Sequence, residues 1–209
     1  ETASTIYFVE MKKKGLTRKA MAGHELMLLI DLARSLVFSQ TQAMKAEYQI
    51  RKGGKITLIA PDGCAKEILL NGRGVERLSI SLFDFGSFQD RVSIQQVMDN
   101  LYRHKFEAID PANRKKLADF ERLTAEMKDM ANRLFQLDPN AGKGPLFRDS
   151  VFISAPQLMT VLKNVSSNED FDREMKSTKW ITTSSRDFYR EYSVARRISE
   201  GATKKKGLI

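Results

Sequence analysis

The sequence predicts an α+β fold, and three observations lead to it. Three strand-like runs, 55–60, 65–70 and 75–85, are separated by Pro61-Asp62-Gly63 and Asn71-Gly72. A long helical pattern precedes them, and helical patterns fill most of the chain after them. Asp-Gly and Asn-Gly favour the positive φ angles of tight hairpins. The three runs are therefore expected to form an antiparallel three-stranded meander, with the N-terminal strand as a candidate fourth member, packed on long helices.

Taken in order, Thr5-Ile6-Tyr7-Phe8-Val9 is β-branched and aromatic and reads as a short strand. Met11 to Leu16 is a basic turn with Gly15 as its breaker. From Thr17 to about Gln49 the period is helical. Leu26, Leu29, Ile30, Ala33, Val37 and Met44 form one stripe and Leu28, Leu32 and Leu36 a second, so this helix is expected in the core. In the third strand Leu78, Ile80 and Leu82 alternate with Arg77, Ser79 and Ser81, as in a sheet with one wet face.

Ser93-Ile94-Gln95-Gln96 reads as a capping box opening a helix to about His104. Asp110-Pro111 caps another, in which Leu117, Phe120, Thr124, Met127, Ala131 and Leu134 recur in heptad fashion. Residues 139–145 are the linker candidate, which divides a core domain, 1–138, from a small helical segment, 146–200. Within that segment Val151-Phe152-Ile153 reads as a strand, and Ser154-Ala155-Pro156-Gln157 as a second capping box. A short helix is expected over 168–176 and a last one from about Ser185 to Ser199. Residues 201–209 read as a basic disordered tail.

Composition narrows the function. The formal net charge is +9, and it is concentrated near the ends of the chain. Lys12, Lys13, Lys14, Arg18 and Lys19 stand in a stretch without an acid, and from Lys176 onward nine basic residues face three acidic ones. Such an excess favours nucleic acid, acidic lipid or an acidic protein as partner. No apolar run is long enough to cross a bilayer. The single cysteine, Cys64, excludes an intramolecular disulfide and a multi-cysteine zinc site, which fits a cytoplasmic, reducing compartment or a nucleoid- or virion-associated protein. A chain that opens on Glu1 reads as a processed product or a fragment.

Catalytic patterns are weak. His24 and His104 have no ligand neighbours, and Cys64 has no local base. Asp84-Phe85-Gly86 lacks the glycine-rich loop and catalytic segment of a kinase. Gly142-Lys143-Gly144 lacks P-loop spacing. Asp62 and Glu67 lack the lysine that would complete a nuclease site, position 69 being leucine. No cofactor, metal or enzyme activity is expected.

The final helix is more informative. At about 100° per residue, Arg186, Arg190, Ser193 and Arg197 fall on one face, opposite Phe188, Tyr192 and Ala195. An arginine ladder of that kind contacts phosphates, or base edges if the helix enters a groove. The short helix over 168–176 is too acidic to serve as a recognition helix. Trp180 reads as a core anchor.

The leading expectation is a non-enzymatic nucleic-acid-binding protein, for DNA or RNA. Its phosphate contacts would be Lys12, Lys13, Lys14, Arg18, Lys19, Arg186, Arg190, Arg197, Lys204, Lys205 and Lys206. The alternative is a protein-interaction or assembly module, a virulence effector or a phage or viral structural component. There the basic ends would meet an acidic partner or membrane surface, and the 117–134 helix would form a homo-oligomer.

Overall fold

A computed structural model describes residues 1–137, 147–179, 182 and 185–206, the last five by backbone alone. The expected linker at 139–145, Trp180 and the end of the chain from Gly207 lie outside the described residues.

The strand at the N-terminus, β1 (Thr5–Lys12), forms as its β-branched run predicts. The helical pattern after it breaks once. A short α1 (Arg18–Met21) ends before Gly23, whose φ of 85° stops the helix. The chain then continues through α2 (Glu25–Leu32), a π-helical stretch at Ala33–Val37 and α3 (Phe38–Gly53), ended by Gly54 in the left-handed region.

The expected meander does not form. Strands β2 (Lys55–Ile59) and β3 (Ala65–Leu69) do pair antiparallel, Lys55 opposite Leu69 and Ile59 opposite Ala65. Asn71 and Gly72 do take positive φ. That turn, however, leads β4 (Gly74–Ser81) out of the hairpin and into a separate parallel sheet of order β1-β4-β5, with β5 at Ser150–Ser154. Burial gives the reason. The hairpin exposes most of both its faces, whereas β4 is buried on both sides and must lie centrally between covering layers.

Between β4 and β5 come a 3₁₀ turn (Gly86–Gln89), α4 (Arg91–Arg103), a second 3₁₀ turn (Pro111–Asn113) and α5 (Arg114–Leu137). The cap of α4 is Asp90, whose carboxylate accepts the Ser93 N–H, and not the Ser93 box expected. After β5 come α6 (Ala155–Leu162), α7 (Asn168–Ser177) and α8 (Phe188–Lys206). Ser154 and Gln157 form the reciprocal capping box that opens α6. The last helix starts three residues later than expected and continues past Ser199 into the stretch expected to be a disordered tail.

Helices cover both faces of the sheet. On one face Leu78, Ile80 and Ile153 pack with Val161 of α6, Met175 of α7 and Tyr192 of α8. On the other, the π-helical stretch, α3, α4 and α5 bury Leu36, Val37, Met44, Met98, Phe120 and Met127 around Phe152. The heptad-like stripe of α5 packs inward: Leu117, Phe120, Met127 and Leu134 are buried in the chain's own core.

The alternating polar side of β4 is also covered, contrary to the wet face expected. Arg77, Ser79 and Ser81 are buried, because α3 presents polar groups to Arg77 and Ser79, and Gln89 Nε2 of the 3₁₀ turn donates to Ser81 Oγ at 3.0 Å. Ser39 Oγ stands 2.6 Å from Ser79 Oγ, Gln40 Nε2 donates to Ser79 Oγ at 2.8 Å, and Arg77 Nη1 donates to Glu47 Oε2 at 3.1 Å. No helix among the described residues is long and apolar enough to cross a membrane.

Candidate nucleic-acid interface

The strand register aligns Lys12, Ser81 and Ser154 at one end of the parallel sheet. In parallel sheets this C-terminal edge usually collects the functional loops. The order β1-β4-β5 runs in one direction without reversal, so no switch-point crevice opens between two strands. Gathered at the edge instead are the basic β1–α1 loop, the loop after β4, and the start of α8.

Contacts join these three pieces. Gly15 packs against the Phe83 ring: a Cβ placed on Gly15 would stand 2.8 Å from Phe83 Cδ2. Next to Phe83, Asp84 accepts the Gly86 N–H at 2.6 Å and Gln157 Nε2 at 3.3 Å. Tyr189, in the first turn of α8, lies beside Asp84. Partial burial, and then the Asp84 and Asp187 carboxylates, raise its phenol above the ordinary value.

The expected cations divide into two groups. Lys12 is turned inward: its Nζ donates to Gln42 Oε1 at 2.6 Å and lies 4.5 Å from the centre of the Phe38 ring. Lys14 is tied to Asp31, with Nζ 3.0 Å from Oδ1 of a carboxylate that solvent does not reach. Burial opposes ionisation of Asp31. The Thr17 backbone N–H at 2.7 Å, and then Lys14, outweigh it and hold the carboxyl below its ordinary value. Both lysines are thus engaged within the chain, Lys12 by Gln42 and the Phe38 ring and Lys14 by Asp31.

Lys13, Arg18 and Lys19 are exposed, and no ion pair is found for them among the described residues. The same holds for Arg190 and Arg197 on α8. Arg186 lies outside the helix, at a φ of 47°, and its Nη1 reaches Ser93 Oγ at 3.3 Å. The ladder on α8 thus reduces to Arg190 and Arg197, about 10 Å apart along the axis. The opposite face is docked as predicted, with Tyr192 and Ala195 buried.

The two ends of α8 sit at opposite edges of the sheet. Its start adjoins Asp84. Farther along, Tyr192 Oη donates to Glu174 Oε2 at 2.6 Å, and Arg196 bonds Asn164 just beyond the end of α6. Since α6 leaves the C-terminal edge at Ser154, Asn164 marks the other edge. The backbone of Lys204, Lys205 and Lys206 therefore lies roughly 25 Å from Tyr189, and the two basic ends of the chain do not converge.

Elsewhere many of the charged groups are matched, although exposed Lys105, Arg114, Lys115 and Lys163 have no ion pair among the described residues. The acids of α7 are engaged structurally: Asp172 accepts from Ser4 Oγ, Tyr7 Oη and Lys176 Nζ at 2.6–2.8 Å. A shallow depression of about 410 Å³ beside Glu1, Glu67, Leu69 and Arg73 has its charges paired, Arg73 and Lys66 both meeting Glu1. Cys64 is exposed on the hairpin turn, and Asp62 is occupied by the Cys64 N–H. Among the described residues no three His, Cys, Asp or Glu side chains cluster as metal ligands.

Sequence reasoning misses Phe83 and Tyr189. A signal for Phe83 exists, since Leu82 and Phe83 are adjacent apolar residues that break the alternation of β4 at its end. No protein-family model, curated protein or solved structure matches the chain.

Proposed function

We propose that the protein binds nucleic acid without catalysing a reaction, through Lys13, Arg18, Lys19, Arg190 and Arg197. The support is a contrast in charge placement. Many arginines and lysines elsewhere meet acids, as in Arg34–Asp119, Arg122–Glu126 and Arg173–Asp170, whereas these five are exposed with no such pair among the described residues and share the β1–α1 segment and α8. Other exposed cations without a pair among the described residues, such as Lys105, Arg114, Lys115 and Lys163, stand on other segments. Uncompensated exposed cations cost the fold self-repulsion, and neutralising phosphates with release of counterions turns that cost into affinity.

The test is an electrophoretic shift of DNA and RNA over a range of salt. Five phosphate contacts correspond to a slope of about −3.5 to −4.5 in log K against log salt. Replacing Arg18, Lys19, Arg190 and Arg197 by alanine should flatten that slope to about −1. Lys12→Ala should leave it unchanged. Absence of a shift at low salt, or a slope untouched by the quadruple variant, would exclude the function. Retention of an acidic protein in place of nucleic acid would assign the same cations to the alternative, protein-interaction role.

A further inference from the structure

Resting on that reading, the geometry points to single-stranded rather than duplex nucleic acid as the ligand, its unpaired bases stacking on Phe83 and Tyr189. Both rings are accessible, Phe83 at 57% and Tyr189 at 41% exposure, and they flank Asp84 at the C-terminal edge of the sheet. Both are also held in place. The missing side chain of Gly15 lets the Phe83 ring lie against the lysine-bearing loop, and Ser81 Oγ donates to the Phe83 carbonyl at 2.7 Å. Tyr189 meets Phe188 edge-on, with centroids 5.6 Å apart.

The free cations interleave with these rings. Lys13 stands two residues before Gly15, and Arg190 directly follows Tyr189. A single strand uses such a surface fully, because each base offers a face to a ring while its phosphate runs past a cation. A duplex hides its base faces in the stack and is read through a groove by an inserted helix or ribbon. The arginine-bearing helix α8 is laid along the sheet with its aromatic side down, and it keeps only two arginines in its outward ladder.

Exposed Met11 and Leu82 extend the apolar strip, which raises a lipid surface as the competing occupant. Asp84 argues against lipid. Its carboxylate sits beside both rings, so inserting Leu82 and Phe83 into a bilayer would strip water from an acid with no cation partner among the described residues. A nucleic-acid strand leaves that carboxylate hydrated.

The experiment is fluorescence anisotropy at low salt with the full chain, a labelled mixed-sequence single strand of about 20 nucleotides, and the same strand as a duplex. It is run on the parent protein, Phe83→Ala, Tyr189→Ala, Phe83→Trp and the triple variant Arg18→Ala/Lys19→Ala/Arg190→Ala, alongside sedimentation with phosphatidylserine vesicles. The single strand is expected to bind at least fivefold more tightly than the duplex. Each alanine variant should weaken single-strand binding at least fivefold, the low end of what one stacked base contributes, and Phe83→Trp should restore it. Duplex binding should respond only to the triple variant. Equal affinity for the two forms, or single-strand binding indifferent to both alanine variants, overturns the inference while the nucleic-acid reading stands. Loss of every nucleic-acid interaction in the parent overturns both. Vesicle binding that depends on Phe83, with single-strand binding that does not, assigns the strip to lipid and overturns the inference.

Discussion

Replacing Glu47 tests the buried polar seam between α3 and the sheet. Glu47 is 4% and Arg77 5% exposed, and Glu47 also accepts from the partly exposed Arg51 at 2.7 Å. Arg77 Nε already lacks a partner among the described residues. Glu47→Ala therefore leaves a guanidinium under α3 with no counter-charge within bonding distance. Breaking a buried pair from one side costs about 3–5 kcal/mol, a large share of the roughly 5–15 kcal/mol that holds a domain together. Glu47→Leu combined with Arg77→Met removes both charges at similar volume and should cost no more than about 1–2 kcal/mol. With a urea m-value of about 2 kcal/mol/M, the single variant lowers the midpoint by about 1.5–2.5 M. Urea unfolding followed by circular dichroism measures this. A single-variant loss below about 1 kcal/mol, or a double variant less stable than the single, would refute the claim that this pair is desolvated and mutually dependent.

Acid stability should report Asp172, which joins α7 to β1. Partial burial pushes this carboxyl up, but Lys176 and the Thr5, Ser4 and Tyr7 hydroxyls outweigh it and hold the carboxyl at about 2. A folded value below the unfolded 3.8 gives stabilisation that is complete above about pH 4 and is lost as pH falls towards 2. Asp172→Asn should remove at most about 2 kcal/mol at neutral pH and flatten the acid limb of a melting-temperature profile over that window. An unchanged limb would dismiss the contact. Ser154→Ala deletes half of the capping box of α6 and should cost about 1 kcal/mol in the same urea assay, with Ser154→Asp recovering most of it.

Some elements are legible in the sequence, and others are hidden for physical reasons. Helix periodicity locates the two apolar stripes of the long N-terminal helix, and the Ser154 box announces α6 correctly, because both are local signals. The parallel sheet is not local. Val75–Ser81 comes after the β2–β3 hairpin by a tight turn, so nearest-neighbour pairing is the natural expectation, yet its partners are residues 5–12 and 150–154. The polar alternation of Arg77, Ser79 and Ser81 resembles that of a solvent-exposed face. Its cause is Ser39, Gln40 and Glu47 on the inner face of α3, which meet Ser79 and Arg77, together with Gln89, which meets Ser81. At the candidate interface, charge alone does not separate Lys13 from Lys12 and Lys14. Strand alternation turns Lys12 under α3, and Asp31, seventeen residues away, captures Lys14.

Strand order also governs how the chain must come together. Thr5 meets Gly74 and Arg77 meets Ser150, about seventy residues apart in each case. During synthesis β4 emerges with β1 already made but with no β5 to cover its second edge. Its apolar Leu78 and Ile80 also wait for α6, α7 and α8. Until about 190 residues have been made, the centre of the sheet is an open parallel edge beside an uncovered apolar face, the combination most prone to pair with another chain. Sheet closure is therefore a late and slow event, set by loop closure over long separations rather than by helix formation. Shortened translation products that stop before β5 should be found in aggregates, not in the soluble fraction.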